Sequence, residues 1–134
     1  LLESRSPTLQ IFSAIVLPIV FGLICGIVLG VDGALYGVLS VLAILGGIGA
    51  GYEHPDAVEG AARGIAGGML FGTFILFGHA VAGTHAKAVL PNPHIVLVLV
   101  TILGGVGFGG LGGALRRRRT RRVESAGAPI DPVI

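Results

Sequence analysis

Ile44-Leu45-Gly46-Gly47-Ile48-Gly49-Ala50-Gly51 returns almost unchanged further along the chain as Ile102-Leu103-Gly104-Gly105-Val106-Gly107-Phe108-Gly109. The offset of 58 residues stays apolar when carried backwards, pairing Val38 with Val96, Leu39 with Leu97, Val41 with Leu99 and Leu42 with Val100. A glycine-rich apolar segment that recurs in this way reads as a duplicated hydrophobic unit. It directs attention to what surrounds each copy.

Each copy sits in a stretch without Asp, Glu, Lys or Arg, and two further stretches of the same kind precede them. The four windows are Leu9 to Val31, Gly33 to Tyr52, Gly64 to Thr84 and Ile95 to Leu115. About twenty helical residues at roughly 1.5 Å each cross a hydrocarbon core of about 30 Å. With 53% hydrophobic and 12% charged residues, the chain lies outside the composition of soluble globular domains. The first window is too long and continuous for a secretory signal peptide and reads as a retained span. The expected fold is therefore all-α and integral to a membrane, with four transmembrane helices arranged as two tandem hairpins. A segment 1–8 precedes the spans, repeat one covers 9–52, repeat two covers 56–115, and a basic then flexible tail covers 116–134.

Charge orients this arrangement. Arg116, Arg117, Arg118, Arg119, Arg121 and Arg122 follow the last span, and an even number of crossings puts Arg5 and Arg63 on the same side, leaving Lys87 alone opposite. The positive-inside rule then places both termini in the cytoplasm of a plasma-membrane protein. The arginine run is an anchor with affinity for anionic lipid headgroups, and no nucleic-acid partner is expected. Asp32 between Gly30 and Gly33 makes a tight exterior turn, so spans one and two are expected to pack antiparallel. Thr84 to Pro93 forms a longer exterior link, in which Asn92 suits a helix cap and Pro93 a first helical position. In the cytoplasmic link, Asp56 followed by Glu59 resembles a capping box ahead of the third span. Past Arg122 the tail is expected to be irregular.

Glycines recur every fourth residue: Gly22, Gly26 and Gly30 in the first span, and Gly47 and Gly51 in the second. Gly60, Gly64, Gly68 and Gly72 follow in the third, and Gly105, Gly109 and Gly113 in the fourth. Residues four apart share a helix face, so each series makes a groove that lets another backbone approach, a glycine zipper. Four grooved helices offer more surface than one protomer buries, so a homo-oligomer or docking among other membrane subunits is expected. The glycine runs are not phosphate loops, because no Lys-Ser or Lys-Thr follows them.

Chemistry-bearing residues are sparse. Ser40, Thr73 and Thr101 are the hydroxyls from which a polar path or pore would be built. His79, His85 and His94 share the exterior level and are the residues a metal or haem would need. Asp32 is the one acidic residue outside with them, and no cofactor is expected. The single cysteine, Cys25, has no disulfide partner in the chain. The spans carry no ionisable pathway residue, and no nucleophile and base pair is visible, so the expectation is a non-enzymatic scaffold or accessory subunit, with a small channel or transporter as the alternative.

Gly46-Gly47-Ile48-Gly49-Ala50-Gly51-Tyr52, continued by Val58-Glu59-Gly60-Ala61-Ala62-Arg63-Gly64 and Ala66-Gly67-Gly68, resembles a family of small uncharacterised four-helix membrane proteins of halophilic archaea. The resemblance covers about a third of the chain and implies an archaeal cell membrane as the setting. It transfers no functional residue, and the basic tail departs from the acidity expected of salt-adapted proteins.

Overall fold

In the computed structural model, which describes residues 6–127, the chain forms four helices: α1 (Pro7–Leu29), α2 (Gly33–Tyr52), α3 (Ala57–Ala82) and α4 (Ile95–Gly127). Each is long and apolar enough to cross a membrane. Leu1 to Arg5 and the last seven positions lie outside the described residues.

The helix ends follow local chemistry. Pro7 opens α1 at a position where its missing N–H costs nothing. Asp32 caps α2, its Oδ1 accepting from the Leu35 N–H at 2.8 Å. Asp56 caps α3, accepting from Val58 and Glu59 at 2.9 and 3.0 Å. α3 therefore starts ahead of its charge-free window and carries Glu59 and Arg63 in its first turns. Replacing Asp56 with Ala should cost about 1 kcal/mol of stability, with Asn recovering most of it. A thermal melt of the two variants in detergent checks this, and an unchanged Ala variant would remove the cap from the account. α3 ends on Gly83, whose φ of 63° is the left-handed conformation that stops a helix without steric cost in glycine.

Two expectations need correction. Asn92 and Pro93 do not open α4; Val96 and Leu97 donate to the Pro93 and His94 carbonyls in a preceding turn, and the helix starts at Ile95. The irregular tail expected after Arg122 gives way to helix as far as Gly127, because α4 runs unbroken through the arginine run, and the rest of the tail, 128–134, lies outside the described residues. Glu124, Ser125 and Ala126 tolerate helix, and the first tail proline lies beyond them, so nothing local stops propagation.

The helices pack in the order α1, α3, α4, α2. α3 and α4 share the longest seam, α1 lies along α3 and α2 along α4, while α1 and α2 touch least and α1 does not reach α4. The tight turn makes α1 and α2 antiparallel, yet it does not make them a packed pair. The glycines explain the choice. A Cβ added at Gly64 would overlap the Gly105 carbonyl, one at Gly60 the Gly109 carbonyl, and one at Gly68 the Thr101 carbonyl. The α3 and α4 backbones thus lie in direct contact. α1 brings Gly22 and Gly26 against the Phe71 and Ile75 carbonyls of α3, and between Pro7 and Phe21 it has no glycine to admit a further helix.

At the end of the bundle that carries the α1–α2 turn, Cys25, Leu29, Ile75 and Leu97 form the buried cluster, with Phe21, Tyr36, Leu39 and Phe71 packed around it. Phe21 and Phe71 stack with centroids 6.0 Å apart. The 83–94 link drapes over the turn, where the Lys87 N–H donates to the Leu29 carbonyl at 2.7 Å. At the opposite end, Arg116 Nη1 donates to the Glu53 carbonyl, satisfying an acceptor at the end of α2, and Arg119 Nη1 donates to the Tyr52 hydroxyl at 3.2 Å. These bonds tie the basic extension of α4 to α2.

Candidate functional site

Because α1 follows α3 and α2 follows α4, a cleft of about 580 Å³ opens between α1 and α2. Its floor is the α3–α4 seam, where Gly64, Gly68, Gly104 and Gly105 present backbone instead of side chains. Its walls are Leu17, Pro18 and Phe21 from α1 and Tyr36, Ala43, Gly47 and Ala50 from α2. The buried cluster closes it at Ile75 and Leu97. The volume falls within the roughly 300–1,000 Å³ of small-molecule sites, and the lining is apolar with a few polar groups.

Three of those polar groups are hydroxyls already bonded to their own helices. Ser13 donates to the Gln10 carbonyl at 3.0 Å, Ser40 to Tyr36 at 2.8 Å and Thr101 to Val98 at 2.9 Å. Such back-bonding leaves each oxygen with residual acceptor capacity and no free donor. Beside these and Tyr36 stands Arg63, half-buried on α3, whose Nη2 donates to the Ser13 carbonyl at 3.4 Å. An arginine in a membrane helix usually runs outward to the interface. This one turns inward: its Nη1 lies 3.1 Å from where a Cβ on Gly67 would stand, one turn further into α3. Gly67 is the space that accepts the guanidinium.

The structure therefore brings Ser40 and Thr101 into one cleft and leaves Thr73 on an exposed face of α3. Arg63, assigned from sequence only to the charge balance, is the cation of the site. The signal that would have found it is its spacing of four from Gly67, which puts a long cation beside a gap on the same face.

His79, His85 and His94 do not converge. His85 and His94 are exposed in and after the link, and His79 is partly buried on α3 with Nδ1 lacking a partner among the described residues. Among the described residues no three of His, Cys, Asp and Glu come together in a way that would hold a metal. The Glu59 carboxylate, exposed, stands 3.9 Å from Nδ1 of the partly buried His54, a loose pair.

The glycines divide into two groups. Gly22, Gly26, Gly30, Gly51, Gly60, Gly64, Gly68, Gly72, Gly105, Gly109 and Gly113 all face another part of the same chain closely enough that a Cβ would overlap it, while Gly47 sits at ordinary distance from Phe108. Gly37, Gly46, Gly49 and Gly107 meet nothing within 4 Å. The basic residues Arg117, Arg118, Arg121 and Arg122 are exposed along α4 past the apolar stretch, with Arg116 half-covered. Comparison with known protein families, with curated proteins and with solved structures finds no match.

Proposed function

We propose that the chain is a non-enzymatic subunit of a membrane assembly, a scaffold that docks with copies of itself or with other membrane subunits. The observation that carries this reading is the state of α2. Of its twenty residues only Gly51 is buried, and Gly37 and Gly49 leave notches that nothing among the described residues fills. The glycines that meet other helices of the chain form a glycine zipper inside the protomer, and those left over mark the assembly face. In a bilayer an apolar face gains little by meeting another apolar face; a notch that admits a backbone does gain dispersion contact. Two tandem hairpins then serve as a frame, with α3 and α4 as its rigid spine. The setting is a cell membrane, archaeal by the resemblance above, with both termini and the arginine run on the cytoplasmic side.

The test is the mass of the gently solubilised particle by native mass spectrometry, with every associated chain identified. The wild-type particle should contain several copies or further membrane subunits, and Gly49→Leu should reduce it to the single chain while leaving helicity intact. A wild-type particle that is one chain and nothing else would overturn the scaffold reading.

A further inference from the structure

The cleft and the inward-turned arginine together make a demand that the scaffold reading does not meet. A guanidinium carries five N–H donors, and the structure gives Arg63 one long bond to the Ser13 carbonyl and, among the described residues, no carboxylate within ion-pair distance, Glu53 acting on it only from further off. A cation held beside an apolar cleft with most donors unused is costly unless an anion completes it. The group that fits a planar donor fork is a phosphate or carboxylate.

The shape of the cleft selects among anions. It runs along α3 from Arg63 to Ile75, about 18 Å at about 1.5 Å per residue, close to the roughly 15 Å depth of one leaflet of a 30 Å core. Between those ends the lining is apolar or backbone apart from Tyr36 and the back-bonded hydroxyls of Ser40 and Thr101, and it closes on the buried cluster. A small hydrated phosphate would leave most of that length unfilled in a region without water. Arg63 lies in the second turn of α3, close to the end where Tyr52 and Arg116 sit, which is the level of a headgroup.

We propose that the cleft is a lipid site: one acyl chain of an anionic glycerophospholipid lies between α1 and α2 over the α3–α4 seam, and its phosphate is held by Arg63. Gly67 is part of the site, because a Cβ there would stand 3.1 Å from Nη1 of Arg63 and press on the guanidinium. The basic run on α4 is a separate feature, exposed and outside the lining. The site belongs to each chain, so its occupancy is counted per chain whatever the size of the particle, and it stands independently of the scaffold reading.

The experiment is native mass spectrometry of the full chain from nanodiscs containing equal amounts of phosphatidylglycerol and phosphatidylcholine with identical acyl chains. Wild type should retain one phosphatidylglycerol per chain after the surrounding lipid is stripped. Arg63→Gln should lower that occupancy at least tenfold, and Arg63→Lys should hold an intermediate level. Ala43→Phe, which keeps Arg63 and fills the cleft, should lose the lipid as well. The joint replacement of Arg117, Arg118, Arg121 and Arg122 by Gln should leave it in place. Circular dichroism on every variant confirms that the helices are present.

Three results would overturn the proposal. Retention unchanged in both Arg63→Gln and Ala43→Phe, but lost with the four distal arginines, would assign the lipid to the surface of α4. Equal retention of phosphatidylcholine and phosphatidylglycerol by wild type would remove the phosphate contact. Displacement of the retained lipid by millimolar inorganic phosphate would show that the anion and not the chain is recognised.

Discussion

Gly64→Leu is expected to unfold the bundle, lowering stability by about 3 kcal/mol or more, because inserting atoms where none fit already costs about 1–3 kcal/mol when only side chains must move. Here the obstacle is backbone. The Gly64 position faces the Gly105 carbonyl and its neighbouring peptide, and a Cβ on Gly105 would overlap the Gly64 carbonyl in return. The Gly105 carbonyl is held in the helical ladder of α4, and turning it aside in lipid would leave an acceptor without a partner. The remaining escape is for α3 and α4 to separate. Separation would also open the Gly60–Gly109 and Gly68–Thr101 approaches on either side, and dispersion falls steeply with distance. Gly107→Leu is the control, since Gly107 lies on α4, the other helix of this seam, and meets nothing within 4 Å. Titration with a denaturing detergent, followed by circular dichroism, should show the first variant unfolding well before wild type and the second with it. Coincident transitions for all three would mean that α3 and α4 do not lie in backbone contact.

That seam shows how far the sequence can be read. The helices were legible: α2 matches its charge-free window from Gly33 to Tyr52, and the windows for α1 and α4 mark where those helices run in the apolar region. Helix starts were legible where a side chain supplies the cap, as Asp56 does for α3. What the windows did not carry was length beyond the apolar region, since helix propagates through Glu59 and Arg63 at one end and the arginine run at the other.

Pairing was harder to read than placement. A short turn at Asp32 suggests that α1 and α2 pack along their length, and a spacing of four suggests a groove without naming its occupant. The outcome depends on depth. α1 carries its glycines in its second half, where they match the Phe71 and Ile75 carbonyls of α3, and its first half presents Phe12, Ile15 and Leu17. α2 has Gly51 at the far end, where it meets Gly109 of α4. The two helices of one hairpin are thus drawn to different partners. The cleft is the space left by that choice, and no local pattern in either helix announces it. Arg63 was legible as a charge and hidden as a site, because the inward turn over Gly67 depends on the cleft being there.

The second seam has a reporter built into it. Cys25 is the single thiol of the chain and is 0% exposed, lying where α1 meets α3 between Gly22 and Gly26. A Cβ on Gly26 would overlap the Ile75 carbonyl and press on the His79 N–H and the Gly78 Cα. Gly26→Leu should therefore lift α1 from α3 at the level of the buried cluster, where Leu29 and Ile75 are 0% and 1% exposed. A buried thiol reacts only through local opening, and a cost of about 1–3 kcal/mol to the closed state raises the open population by about five- to 150-fold. Labelling of Cys25 by N-ethylmaleimide in mild detergent should accelerate by that factor in Gly26→Leu. Gly37→Leu should not change it, since Gly37 meets nothing within 4 Å. Wild-type labelling as fast as that of the chain unfolded in dodecyl sulfate would mean that Cys25 is not enclosed. An unchanged slow rate in Gly26→Leu would mean that α1 can absorb a leucine without leaving α3. Because the closed end of the cleft rests on this cluster, a seam that opens here should also release the acyl chain, so labelling and lipid retention should change together in the same variant.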